Sequence, residues 1–460
     1  MKTWIVSVSI VSVLASAALA QTPAPEAPSG VAPAPGVAPW GQANLVARPD
    51  PVVITGAEIP SFVGASLKSL GVFTRVQAHW VPIPYQFDER DPDGLLVFPY
   101  GPKSDRARAT GRLKDRDELV FLAADGGDRW SPTAAPMPDG AVGGTEIGLH
   151  DPVDGTEAWA YLFQFSGDFP RSDRDYVSFD AAEARVTTDH MYFKYSPAQD
   201  KIYYDEIGVP RSGGGTGVNF IDRLKLRIHI KTRLWFSLSF DEDEWDSSVG
   251  RWIDGPVRVV REIQNELRFL GVAIAPTILV NAMYYRDFHV APTLIHQTVN
   301  IPAIAKEAWF KFAIDLNENG KGMRYYRPSP GAKNPWHQID GKMEPDEEAL
   351  DPKLPDWHLV TGPQGTHLLR VEMPEPLVPV TNLYYVDDVT NEDDPEGTPG
   401  SIGEVGYKFD LFPLEQGVYN MRVFNIFPPN YKVGDEALYQ RMIDTPLEIR
   451  LEAIPGAPSP

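Results

Sequence analysis

Residues 223–240 read Arg-Leu-Lys-Leu-Arg-Ile-His-Ile-Lys-Thr-Arg-Leu-Trp-Phe-Ser-Leu-Ser-Phe, and this stretch decides the fold class. Leu224, Leu226, Ile228, Ile230, Thr232, Leu234, Phe236, Leu238 and Phe240 take every second position. Arg223, Lys225, Arg227, His229, Lys231, Arg233, Trp235, Ser237 and Ser239 fill the others. Successive side chains of a strand point to opposite faces, whereas a helix would spread either set around its axis. Period two held this long predicts β-structure with one buried face. At about 3.3 Å per residue the stretch would span about 60 Å, so it is expected to be one long strand of a large sheet or two strands joined at a bend.

Outward from it, similar runs recur at 52–54, 76–81, 119–122 and 158–163, then at 256–270, 277–285, 293–301, 309–316, 367–373, 406–411 and 448–453. Clusters of Pro, Gly and Asp/Asn separate them, as strand-and-turn architecture requires. The chain carries 44 prolines in 460 residues, about twice the usual share, which argues against a helical bundle. Residues 435–443 are the best helix candidate. The predicted fold is all-β: a small N-terminal β-sandwich at 50–140 followed by a large antiparallel β-sandwich at 150–454. Residues 1–20, with Lys2, an apolar run and Ala18-Leu19-Ala20, read as a signal peptide. Residues 21–49 read as a Pro/Ala-rich linker and 455–460 as a disordered tail.

Composition narrows the function. There is no cysteine, and 42 basic against 63 acidic side chains give a net charge of −21. That excludes disulfides, thiolate metal sites, iron–sulfur clusters and thioether-attached haem, and it disfavours nucleic acid as a partner. No run after the first twenty residues is long and apolar enough for a membrane span. An address of this kind implies a periplasmic or extracellular protein, where nucleotide cofactors are scarce.

Three groups of residues could carry chemistry. Arg223, Lys225, Arg227, His229, Lys231 and Arg233 form a one-sided basic stripe, with Trp235 at its end. Like charges along one strand face repel. The stripe is therefore either paired across strands with acids such as Glu262 and Glu266, or it is a groove for an anionic ligand, of which an acidic polysaccharide is the obvious exported example. The tyrosine doublets at 203–204, 284–285, 325–326 and 384–385 are each expected to place one ring inside and one outside, the outer rings offering stacking surfaces for sugars. Tyr284, Tyr285, Arg286 and His289 bring a cation and proton-transfer groups to one strand end. Asp315, Asn317 and Asn319 match the opening of a calcium loop, although position twelve is Tyr326 where a glutamate belongs. The same residues also suit an Asx-rich turn. The carboxylate clusters at 88–93 and 115–118 are further candidates for a hard cation.

The stretch Pro84-Tyr85-Gln86-Phe87-Asp88-Glu89-Arg90-Asp91-Pro92-Asp93-Gly94, followed by Asp115-Arg116-Asp117-Glu118-Leu119-Val120-Phe121-Leu122-Ala123, resembles a module of exported bacterial proteins. In those proteins a Gln-x-Asp and Asp-Glu-Leu-x-Phe unit precedes a galactose-mutarotase-like β-supersandwich. Asp254-Gly255-Pro256-Val257-Arg258 is similar to a strand start in those supersandwich domains. The resemblance implies a supersandwich-like fold and a carbohydrate theme, and it carries no catalytic residue over.

Three functional readings follow. In the first, the protein acts on an acidic polysaccharide by lyase-type β-elimination, with Arg227 or Arg286 neutralising a uronate carboxylate and Tyr285 or His289 moving the proton. In the second, Lys225, His229, Lys231, Arg233, Trp235 and Tyr284 bind a glycan without reaction. In the third, the chain is a calcium-stabilised scaffold for other exported proteins. The lyase reading requires the stripe, Tyr285 and His289 to meet in one cleft.

Overall fold

The alternating stretch folds as a hairpin. Strand Ile221–Thr232 pairs antiparallel with strand Ser237–Phe240, in the register Ile228 to Phe240 and Ile230 to Leu238. The parity therefore continues across the bend, and the apolar positions of both arms stay on one face. The turn is closed by the Thr232 hydroxyl, which donates to Phe236 O at 2.6 Å. Leu234 lies in the turn and is exposed, outside the buried face predicted for it.

The structure is a computed structural model that describes residues 45, 48–131, 136–195, 204–234, 236–241, 245–269, 272–273, 278–297, 300–327, 335–353, 356–390 and 402–454. The predicted signal peptide, nearly all of the linker, Trp235, Tyr203 and the tail lie outside these residues.

The fold is all-β and sandwich-like, as predicted, with antiparallel pairing throughout. The hairpin belongs to a five-stranded sheet that runs Ser237–Phe240, Ile221–Thr232, Ala305–Leu316, Gly403–Asp410, Thr381–Val386. It packs on a ten-stranded sheet whose central strands are Val259–Phe269, Ile278–Tyr284, Phe288–Gln297, Gly417–Ile426 and Gly365–Glu372. Leu224, Leu226, Ile228 and Ile230 meet Val259, Ile263, Val280 and Val423 in the largest core cluster. Fully burying such a side chain is worth about 1.5–3 kcal/mol, so this interface does more to hold the sheets together than strand propensity does. Among the described residues the longest helix, Glu436–Asp444, falls where amphipathicity placed it.

The first unit is larger than the sequence suggested. Strand Ala141–His150 pairs with Glu157–Phe165, which pairs in turn with Leu70–Val76, so the unit continues past residue 140. The last strand, Glu448–Ala453, returns to pair with Ala141–His150. This five-stranded sheet packs on a three-stranded one made of Pro51–Thr55, Glu118–Leu122 and Gln86–Asp88, over a core that includes Val72, Leu119, Ile147 and Leu162. A small four-stranded sheet within residues 177–208 lies between this unit and the large sandwich in sequence.

Candidate functional site

The basic stripe stands on the outer face of the five-stranded sheet, and its neutralising acids come from strands remote in sequence. Lys225 is 2% exposed, and its ammonium lies 3.2 Å from Asp315 and 2.7 Å from Glu404. Lys311, which faces Arg227 in register, pairs with the same Glu404 at 3.0 Å. Glu262 and Glu266, the acids expected to compensate the stripe, sit in the other sheet, where Glu262 takes Arg251 at 2.8 Å. Further along, His229 stacks on Trp309 with ring centroids 5.3 Å apart and bonds Ser239 at 2.9 Å. Arg233 donates to Pro302 O, and Lys231 is exposed.

The calcium-loop residues are engaged otherwise. The Asp315 carboxylate faces Lys225. Asn317 Oδ1 caps the short helical turn Glu318–Gly320 by accepting from Asn319 N, while Asn317 Nδ2 donates to Ile221 O at 2.7 Å. Asn319 Nδ2 donates to Asn219 O at 2.8 Å. Side-chain oxygens and amides here stitch the loop to the backbone, and no group of three or more His, Asp or Glu placed to hold a metal ion occurs among the described residues.

The turn that links strands Ile278–Tyr284 and Phe288–Gln297 carries Tyr285, Arg286 and Asp287. Tyr284 and Tyr285 point to opposite faces, yet both are buried, because the first unit covers the outer face. Among the doublets with both residues described, only the Tyr325–Tyr326 pair approaches the in-and-out expectation, with Tyr325 buried and Tyr326 half-buried. Arg286 forks onto Asp287 with two 3.0 Å bonds, and His190 Nδ1 reaches the same carboxylate at 2.5 Å. Burial opposes ionisation of Asp287, but the bonds from His190 and Arg286 hold its pKa below the ordinary value. His289 faces the inter-sheet core, stacked on Tyr284 at 4.5 Å. Burial, with Arg261 and His367 nearby, pushes its pKa down to about 3.

The basic stripe, Tyr285 and His289, which the lyase reading requires in one cleft, therefore do not meet. Arg227 is on the outer face of one sheet, His289 on the inner face of the other, and Tyr285 on that sheet's outer face. Arg286 is bound up with Asp287 at the turn. A strand's two faces are separated by the sheet itself, so no side-chain rotation brings these groups to one cleft.

The motifs that carried the resemblance do converge, at Arg258. Its Nε donates to Asp88 Oδ2 at 2.7 Å, its Nη2 pairs with Glu118 Oε2, and its Nη1 donates to the Tyr285 hydroxyl at 3.2 Å. Gln86 Oε1 accepts from the backbone of Val257 and Arg258, and its amide nitrogen donates to Asp88. A Cβ at Gly255 would collide with Gln86 Oε1, so glycine permits the close approach. Burial alone would raise the Glu118 pKa, but the Arg258 and Arg90 guanidiniums hold it below the usual value. Two of the carboxylates expected to gather a hard cation, Asp88 and Glu118, hold an arginine from the large sandwich, and the motif is the joint between the two units.

The three residues Gln86–Asp88 alternate, and their opposite face opens a groove of about 590 Å³. Tyr85 and Phe87 meet edge to face there, 5.8 Å apart. Across the groove Phe169 stacks on Phe165 at 4.1 Å. Arg171 lies over Phe169, 4.4 Å from its centroid, donates to the Tyr85 hydroxyl and donates to Lys68 O at 2.6 Å. Burial pushes the Tyr85 pKa up to about 12. Lys68 and Arg171 pair with no carboxylate among the described residues, and Asp168 is the one acid in the wall. The sequence quoted Tyr85 and Phe87 inside a motif, but Phe169 and Arg171 come from a loop that carried no signal.

No family model matches the chain, and no curated protein matches it. Among solved structures, an alpha-mannosidase from Enterococcus faecalis V583 is similar over 68% of this chain and 39% of its own, at 10% identity and a TM-score of 0.36. A protein in the glycosyl hydrolase family 38 from Enterococcus faecalis is similar over 89% of this chain and 45% of its own, at 9% identity and a TM-score of 0.41. The chain spans less than half the length of either structure.

Proposed function

We propose that this is an exported glycan-binding protein that takes acidic polysaccharides in the groove of its first unit. The observation that carries the reading is the juxtaposition of three half-buried rings, Tyr85, Phe87 and Phe169, with two cations that have no carboxylate partner among the described residues. Rings offer flat apolar faces to sugars, and the Arg171 fork suits a uronate carboxylate. In a chain of charge −21, unmatched cations beside aromatic rings favour an anionic ligand over a neutral one. Binding is favoured over β-elimination because Tyr85, pushed up to about 12, keeps its proton at neutral pH and leaves Asp168 as the one side chain of the wall able to accept one.

The test is affinity electrophoresis of the purified protein in gels containing polygalacturonate, alginate or a neutral glucan, with ultraviolet absorbance read in parallel for unsaturated ends. Salt-sensitive retardation by a uronate polymer, lost in Arg171→Ala and Phe169→Ala and without an absorbance rise, is the expected result. Retardation that survives both substitutions would place the ligand elsewhere, and a rise in absorbance would restore the lyase reading.

A further inference from the structure

Between the two sheets of the large sandwich lies a second space, a cavity of about 120 Å³. Protein interiors are otherwise packed to crystal-like density. A water needs only about 10–15 Å³ on this measure, so the space has room for about ten groups of that size. Leu224, Leu226 and Phe312 wall it from the five-stranded sheet, and Ile263, Met421 and Val423 from the ten-stranded one. Among the described residues no Asp, Glu, Lys or Arg lines it.

The ten-stranded sheet is parted beside this cavity. Strand Ile278–Tyr284 pairs along its whole length with Val259–Phe269, and Phe288–Gln297 along its whole length with Gly417–Ile426. Between themselves the two strands pair at Met283 to Val290 and Tyr284 to His289, and no further pairing joins them among the described residues. Parting a sheet forfeits ladder hydrogen bonds, each worth about 0.5–1.5 kcal/mol. What it opens here is a way in. Leu279 and Val280 are consecutive, as are Thr293 and Leu294, and consecutive side chains of a strand point to opposite faces. All four line the cavity, so the space passes between the strands instead of ending at the sheet. Leu279, Thr293 and Leu294 are half-buried and mark the mouth. Tyr195, Tyr204, His289 and Asn425 are buried and form the inner end, where the two strands come back together.

The polar groups of the inner end are satisfied by one another, with one hydrogen left over. The Tyr195 hydroxyl is bonded to that of Tyr284. The Tyr204 hydroxyl donates to Asn425 Oδ1 at 3.1 Å, which leaves the Asn425 amide nitrogen to donate to His289 Nδ1 at 3.1 Å. A neutral imidazole that accepts at Nδ1 carries its hydrogen on Nε2, and His289 Nε2 has no hydrogen-bond partner. We propose that the cavity binds a neutral ligand with an alkyl chain and a single acceptor, a ketone or ester carbonyl, which enters between Ile278–Tyr284 and Phe288–Gln297 and sets its oxygen toward His289. The apolar wall takes the chain. A charged head group would lose its water with no opposite charge in the lining to replace it, so the site selects against fatty acids and ammonium amphiphiles.

Calorimetric titration of the full-length protein at pH 7 with 2-octanone and with octanoate tests this. The expected result is one saturable site for the ketone, with the carboxylate about tenfold weaker or more because its desolvation is uncompensated. Leu226→Trp, which fills the cavity, should abolish ketone binding. The chain has no cysteine, so Leu294→Cys places a lone thiol at the mouth. That variant should bind the ketone before reaction with a bulky maleimide and lose it afterwards. His289→Leu should weaken the ketone several-fold while toluene, which has no such acceptor, still binds. The ketone-to-carboxylate ratio on the unmodified protein needs no variant, so a substitution that misfolds leaves the test intact. Octanoate binding as tightly as the ketone, no saturable binding of the ketone, or ketone binding that survives the maleimide would overturn the proposal.

Discussion

Replacing Arg258 with methionine keeps side-chain length and removes the cation that Asp88 and Glu118 share. Asp88 is 2% exposed, so its carboxylate would lose a 2.7 Å bond with no solvent to replace it. Glu118 would keep Arg90 alone, at 3.1 Å from Nε. Breaking a buried pair by removing one partner costs about 3–5 kcal/mol. With an unfolding entropy of about 2.1 cal/mol/K per residue over some 400 residues, a loss of about 4 kcal/mol lowers the melting temperature by about 5 °C. The pH dependence supplies the sharper check. In the native protein the Glu118 pKa is depressed, so its contribution is present above the unfolded value of about 4.3 and drains as pH falls through the folded value. Without Arg258, burial moves that group up, and the variant's deficit relative to wild type should shrink between pH 7 and pH 5. Urea denaturation followed by circular dichroism at both values measures it. A deficit below about 1 kcal/mol at pH 7, or one that grows toward pH 5, would refute the account of the joint.

The remaining predictions concern other parts of the molecule. Burial pushes His289 and His358 to about 3 and His367 to about 4. The unfolded chain therefore takes up these protons first, and stability, complete above about pH 6.5, should fall by up to about 4 kcal/mol per pH unit below it. Urea titrations from pH 7 to pH 5 read the slope, which His358→Phe should flatten by about a third. Lys225→Met should cost about 3–5 kcal/mol in the same assay by removing the buried ammonium that Asp315 and Glu404 share, while leaving retardation in polygalacturonate gels unchanged. Calcium or a chelator should leave the melting temperature of the native protein where it is, because Asp315, Asn317 and Asn319 are already committed to Lys225 and the backbone.

What could be read in advance follows from how local each signal is. The parity of residues 223–240 depends only on neighbours, so strand character and the buried face were legible. A bend was one of the two expectations, but its place at Thr232–Phe236 was not legible, because no Gly or Asn-Gly marks it. The neutralisation of Lys225 was hidden for a different reason: Glu404 lies 179 residues away, and strand order decides which acid faces which base. The same holds for Glu448–Ala453, whose sequence shows a strand while only the assembled fold shows it closing the first unit. Gln86, Asp88, Glu118 and Arg258 stood out as motifs, but a carboxylate cluster looks alike whether it awaits a metal or an arginine. Of the groove, the near wall, Tyr85 and Phe87, lay within a recognisable motif, and the far wall, Phe169 and Arg171, did not.

Strand Gln86–Asp88 does two jobs because of a single geometric fact. Its even-numbered side chains hold the seam at Arg258, and Phe87, with Tyr85 just before the strand, faces the groove. The two jobs can be altered independently by substitution: exchanging Tyr85 or Phe87 retunes the groove without touching the seam. An insertion or deletion of one residue just before the strand has no such freedom. It would turn rings toward the arginine and carboxylates toward the ligand, so that binding and assembly would fail together. Length, at this point in the chain, is under tighter constraint than identity.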